Sequence, residues 1–236
     1  MQVDRAVAKK GIKSEASEGS ARRKAALDRR SIAESAVRIA DAEGLAKLSM
    51  RRLAQSLGVE AMSLYNHVRN KDDLLGAMVE HVASGFYRPD PEAADWKAEM
   101  HRRGIRAHDQ MLRHPWSPPL IAGRVNDGPE MLGYVDATLG CLFAAGFDAA
   151  DADDAWNAMD SYIYGYTQLA LSFPFQPEEY AQVAAEYLPH LPKERLPHLY
   201  AMTEAVATYR HKGMHRFEFG FEMILDGLVQ RRAGQG

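Results

Sequence analysis

"LAQSLGVEAMSLYNHVRNKDDLL", residues 53–75, sets two short apolar patterns on either side of Gly58 and then brings Tyr65, His67 and Lys71 within seven positions. Leu53, Ala54 and Leu57 recur at helical spacing, Ser49 is placed to cap that helix, and Gly58 ends it. Val59 leads into a second helix, 61–67, whose Leu64, with Val68 just beyond it, returns to the same core. Asn70 caps a further helix with Leu74, Leu75, Met78, Val79, Val82 and Phe86 on one face, which stops before Pro89.

The pattern extends in both directions. Upstream, Ser31 and Glu34 match a capping box, and Ile32, Ala36, Ile39 and Ala40 keep helical spacing until Gly44. Downstream, 96–112, 129–145, 151–173 and 217–232 read as helices, their ends marked by proline or glycine, and 174–197 reads as a loop with short helical pieces. No stretch alternates apolar and polar residues as a strand would, so the expected fold is all-α. The expected organisation is a flexible basic arm (1–27), a helix-turn-helix unit (28–88) and a larger helical unit (89–236).

The 236 residues carry a net charge of −3. Residues 1–30 hold nine Lys and Arg against four Asp and Glu, so this end is +5 and the remainder −8. A basic end on an acidic body suits a protein that touches nucleic acid at one end only and argues against a polyanion-coating protein. A solubilising tail is the alternative reading of those lysines and arginines. One cysteine, Cys141, excludes an internal disulfide framework, and no apolar run reaches membrane-span length, so the cytoplasm is the expected compartment.

Two short helices joined across a glycine turn, the second presenting small and polar residues, fit the description of a helix-turn-helix, whose second helix enters the DNA major groove. The candidate DNA contacts are Ser49, Arg51, Ala61, Met62, Ser63, Tyr65, Asn66, His67 and Lys71. Tyr65 and His67 can donate to phosphate oxygens, and Lys71 adds a cation where a helix N-terminus already favours anions. Arg51 is long enough for a guanine edge, and Met62 suits a thymine methyl. Taken singly, Tyr65 is as readily a packing residue and His67 a surface histidine; their joint occurrence carries the DNA reading.

Residues 31–86 resemble the DNA-binding domain of the TetR family of transcriptional regulators, through "LAQSLGV", "LYNHV" and "NKDDLL". The resemblance implies phosphate contacts for Tyr65 and Lys71. Further on, Trp96, "AAGF" (144–147) and "FEFGFEMILDGL" (217–228) resemble the ligand-binding and dimerisation domain of the tetracycline-repressor type. That implies a homodimer on a pseudo-palindromic double-stranded DNA operator, released by a small-molecule effector, with Phe217, Gly220, Met223, Ile224 and Gly227 at the dimer interface. Ile121 falls where that type carries a metal-binding histidine, so tetracycline is not the expected effector.

For the effector, His101, Arg103, His108, Trp116, Trp156, Asp160 and Tyr164 are the candidates, with Tyr162, Tyr166 and Phe173 as further aromatic lining. Helical aromatic stripes also serve as plain core. Neither a metal nor a cofactor is expected: the histidines at 101, 108 and 114 lack an acidic partner, and Gly213 interrupts the His211/His215 pair. No nucleophile elbow or phosphate-binding glycine loop is present, so no enzyme is expected.

Overall fold

A computed structural model describes residues 27–175, 179–208 and 216–234. The basic arm, apart from residue 27, and the His211/His215 pair lie outside the described residues. Among the described residues there are eleven α-helices and no strand. They are α1 (Arg29–Glu43), α2 (Met50–Leu57), α3 (Ala61–Leu64), α4 (Lys71–Ala83), α5 (Trp96–Arg113), α6 (Ser117–Ala122), α7 (Pro129–Ala144), α8 (Ala149–Ser172), α9 (Tyr180–Tyr187), α10 (Pro197–Ala207) and α11 (Phe217–Ala233).

The capping box of α1 lies three residues earlier than its sequence suggests. Asp28 is the cap: its carboxylate accepts from the Ser31 N–H at 2.7 Å, and the Ser31 hydroxyl accepts from the Asp28 N–H at 3.1 Å. An ionised acceptor at the positive end of a helix outcompetes a hydroxyl. Glu34 is left to pair with Arg30 one turn away. The segment 174–197, expected as a loop with short helical pieces, holds one such piece, α9, and the helix that follows it, α10, is the one that spacing does not reveal. Pro197 opens α10 at a first-turn position, where its missing N–H costs nothing.

α1 packs along α4, with α2 and α3 crossing beside them, while α5, α7, α8 and α11 form the body. One apolar cluster runs without a break from Ile32, Leu53, Leu64 and Met78 in the first unit to Met100, Met111, Ile163 and Phe221 in the second. The joint is aromatic, with the rings of Phe86, just past α4, and Tyr134 of α7 5.0 Å apart.

The approach of α5 to α11 depends on Gly104. A Cβ there would stand 2.2 Å from the ring of Phe221, which is fully buried. Gly104→Ala is therefore expected to lower the free energy of unfolding in a urea titration by about 1–3 kcal/mol, the range for overpacking; an unchanged midpoint would contradict this packing.

Candidate nucleic-acid interface and a buried polar site

The helix pair at 50–67 is built on four buried side chains, Leu53, Ala54, Leu64 and Val68. Ser49 caps α2 by accepting from the Arg52 N–H at 3.1 Å. Gly58 reverses the chain in the left-handed region at φ +66°, which side chains disfavour. α3 is shorter than expected. Tyr65 N–H bonds to the Met62 carbonyl three residues back, so 65–67 tighten into a turn instead of extending the helix.

This scaffold sorts the candidate DNA contacts. Arg51, Met62, Tyr65, Asn66 and Lys71 are exposed, Met62 by 72% and Tyr65 by 44%. Ser63 and His67 are half-buried, and Ala61 packs partly against the core. Neighbouring cations are occupied, since Arg52 binds Glu43 and Arg29 binds Asp73. Among the described residues Arg51 and Lys71 form no ion pair. The arrangement leaves two cations without an ion pair, a phenol and a thioether exposed on α2, at α3 and at the start of α4.

Asp73 locks α4 to α1. Its carboxylate accepts two hydrogen bonds from the Arg29 guanidinium, both at 2.8 Å, and one from the Arg69 N–H at 2.8 Å. Asp73 also gives its own N–H to the Asn70 cap at 2.8 Å. The Arg29 hydrogen bonds chiefly, helped by Arg69, hold the Asp73 carboxyl well below the usual carboxylate range.

Three further contacts tie this unit to the body. Arg124, between α6 and α7, makes a two-pronged bond to Asp72 at 2.6 and 2.9 Å. Glu80 of α4 accepts from the N–H groups of Glu130 and Met131 at 2.8 and 3.2 Å, so one helix caps the start of another. Asp41 of α1 accepts from Trp116 Nε1 at 2.7 Å and meets His114 Nδ1 at 2.9 Å. Asp41, Asp72, Glu80 and Arg124 carry no local sequence signal, because each partner lies 50 or more residues away along the chain.

In the body, three of the effector candidates surround a fully buried Arg103. Its Nη2 donates to Asp160 at 2.5 Å and its Nε to Thr138 at 2.8 Å. Trp156 Nε1 donates to the other Asp160 oxygen at 2.7 Å, and Tyr134 lies under the guanidinium at 4.5 Å. Burial first, and the Asp160 charge second, push the Tyr164 phenol well above its ordinary value. Tyr134 and Thr138 come from α7 and were not among the sequence candidates; an isolated Tyr and Thr on an apolar helix give no signal.

The other candidates stand elsewhere. His108 bonds to Thr167 at 2.7 Å and stacks on Phe217, and burial lowers its basicity. His101 lies in an open groove between α5 and α11, 3.8 Å from Glu222. Trp116 faces the first unit through Asp41 rather than the Arg103 cluster. Of the interface candidates, Phe217 is buried against the protomer's own core, and Gly220 lies under the Tyr162 ring. Ile224 is half-buried, whereas Met223 and Gly227 are exposed in line with Phe219. Helical geometry explains the split: 217, 221 and 225 share the inner face, and 219, 223 and 227 the outer one. Among the described residues no three His, Cys, Asp or Glu side chains gather as a metal site would require, and no helix is long and apolar enough to cross a membrane.

Residues 32–78 match the family described as bacterial regulatory proteins, tetR family, and residues 88–232 match the tetracyclin repressor-like C-terminal domain. The chain is 33% identical over 148 residues to an HTH-type transcriptional regulator of Saccharopolyspora erythraea, a match that spans 63% of each protein. It is 32% identical over 225 residues to the HTH-type transcriptional repressor DrrR1 of Streptomyces coeruleorubidus, covering 89% of this chain and 80% of that one. Among solved structures, the TetR family protein ActR of Streptomyces coelicolor in complex with actinorhodin superposes with a TM-score of 0.74 at 29% identity, over 87% of this chain and 96% of that one.

The Asp73 lock makes a pH prediction. A carboxyl whose folded pKa is depressed contributes stability above its unfolded value, near pH 4, and loses it as the pH falls toward the folded value. At neutral pH, Asp73→Asn should be less stable than the parent by about 1–2 kcal/mol, allowing for screening at the half-exposed Arg29. The gap should narrow as pH drops below 4 in urea unfolding, and a pH-independent gap would contradict the lock.

Proposed function

The chain belongs to the TetR family of bacterial regulatory proteins, and from that premise we propose that it is a repressor binding a pseudo-palindromic operator as a homodimer and released by a small-molecule effector. The regulators of this family are not enzymes. The observation that carries the DNA reading is the exposed set Arg51, Met62, Tyr65 and Lys71 on a glycine-turn helix pair whose neighbouring cations are already paired.

In this reading residues 28–88 read DNA and 89–236 dimerise and sense. Tyr65 and Lys71, with Asn66, His67 and Ser49 beside them, hold phosphates and fix register, whereas Arg51 and the 61–63 segment meet base edges. A two-fold dimer spaces its half-sites by one DNA turn, about 34–36 Å. The outer stripe of α11, Phe219, Met223 and Gly227, is the self-complementary surface that such a dimer requires. An effector entering among α5, α7 and α8 shifts α7, and the Glu80 and Arg124 contacts pass that shift to α4 and the reading face. Operator and effector then weaken each other by the same factor. Contact with chromosomal DNA places the protein in the cytoplasm.

Selection from a random duplex pool at physiological salt should return one inverted repeat. On that repeat, Tyr65→Phe and Lys71→Ala should weaken binding to all sequences alike, with Lys71→Ala lowering the salt slope by about 1. Arg51→Ala should instead relax preference at a single base pair, by about 1–3 kcal/mol. Recovery of no inverted repeat would overturn the operator reading.

A further inference from the structure

Residues 28–83 carry eight carboxylates, and seven of them are engaged. Asp28 and Glu80 accept from backbone N–H groups, Asp41 accepts from the Trp116 indole, and four others bind arginines. The eighth is Glu60. It is exposed, does not cap the helix it precedes, and among the described residues its carboxylate has neither a hydrogen bond nor an ion pair. Its backbone is nevertheless fixed, because the Glu60 carbonyl accepts from the Ser63 N–H at 2.9 Å in the first turn of α3. Glu60 thus stands between the Gly58 turn and the 61–63 segment with its side chain unspent. A bare anion on a unit that must approach phosphates weakens that approach.

We propose that Glu60 is a specificity-determining residue that reads cytosine, its carboxylate accepting from the exocyclic N4 amino group in the major groove. The inference rests on the operator reading above and adds a base identity to it. An ionised carboxylate can only accept hydrogen bonds. In the major groove cytosine shows a donor and no acceptor, guanine two acceptors, thymine an acceptor and a methyl, and adenine an acceptor beside its donor. Guanine and thymine are therefore refused, adenine sets its N7 lone pair against the carboxylate, and cytosine alone is matched. The same charge repels the phosphates of every sequence. Glu60 therefore lowers non-specific binding, and one base pair of the operator offsets the loss.

The test is selection from a random duplex pool at physiological salt by the full-length parent, Glu60→Gln and Glu60→Ala proteins. Each is then titrated with the parent's repeat and with a scrambled duplex. The parent's half-site should fix cytosine at one position. Glu60→Gln should move that position to adenine, because a glutamine amide matches N6 and N7 together. Glu60→Ala should leave the position unselected, bind the scrambled duplex more tightly than the parent does, and lower the ratio of repeat to scrambled affinity about tenfold. The side chain has no partner among the described residues, so neither substitution should lower the melting temperature. Identical selections by all three proteins, equal weakening on every sequence, or a change at a position where the parent selects a base other than cytosine would each overturn the proposal. A parent repeat that both variants also select sinks only the role of Glu60, whereas no repeat from the parent sinks the operator reading itself.

Discussion

The first three turns of α4 are held from both sides, and the rest of the molecule is arranged around that restraint. Asp73 binds Arg29 and so fixes α1; Asp72, its neighbour, binds Arg124 of the body; Glu80, two turns on, caps α7. Consecutive carboxylates on a helix point in different directions, about 100° apart, so a single turn can hold two different partners. Their place in the first turn of α4 also suits the helix dipole. Lys71, immediately before them, is thereby presented from a fixed base rather than from a loose loop.

The restraint gives meaning to the contrast between the two ends of the chain. In the reading unit the cations next to the exposed face are neutralised by Asp73 and Glu43, which leaves Arg51 and Lys71 available for an external anion. In the body the buried Arg103 is balanced by Asp160 and surrounded by aromatic rings. Breaking such a buried pair is costly, which makes it a fixed point against which neighbouring helices can shift. The path between the two places runs through α7, which carries Tyr134 and Thr138 near its middle and receives Glu80 at its start.

Much of this was legible in the sequence, and the failures have physical causes. The glycine turn, the Ser49 and Asn70 caps and the long apolar faces are local signals, so the helix-turn-helix and the all-helical fold could be read from spacing alone. The start of α1 was misplaced because Asp28 and Ser31 are both competent caps, and only the ionised one exploits the helix dipole fully. α10 was hidden by prolines, which lie between or at the start of helices as easily as they break them. In the body, Arg103, Trp156, Asp160 and Tyr164 were singled out, and the structure gathers them. Trp116 and His101 stand apart because composition does not say which face of a helix meets which neighbour. Tyr134, Thr138, Glu80 and Arg124 had no signal at all, since their roles arise from partners far along the chain.

That α4 transmits restraint between body and reading unit is the central claim, and native-state hydrogen exchange of the parent and Glu80→Ala proteins tests it most directly. Among the described residues, the Glu80 carboxylate accepts hydrogen bonds from the N–H groups of residues 130 and 131 at the start of α7. If α4 couples the two units, removing this carboxylate should speed amide exchange along α4 and α1 as well as at 130 and 131. Faster exchange confined to 130 and 131, with α1 and α4 unchanged, would contradict the account.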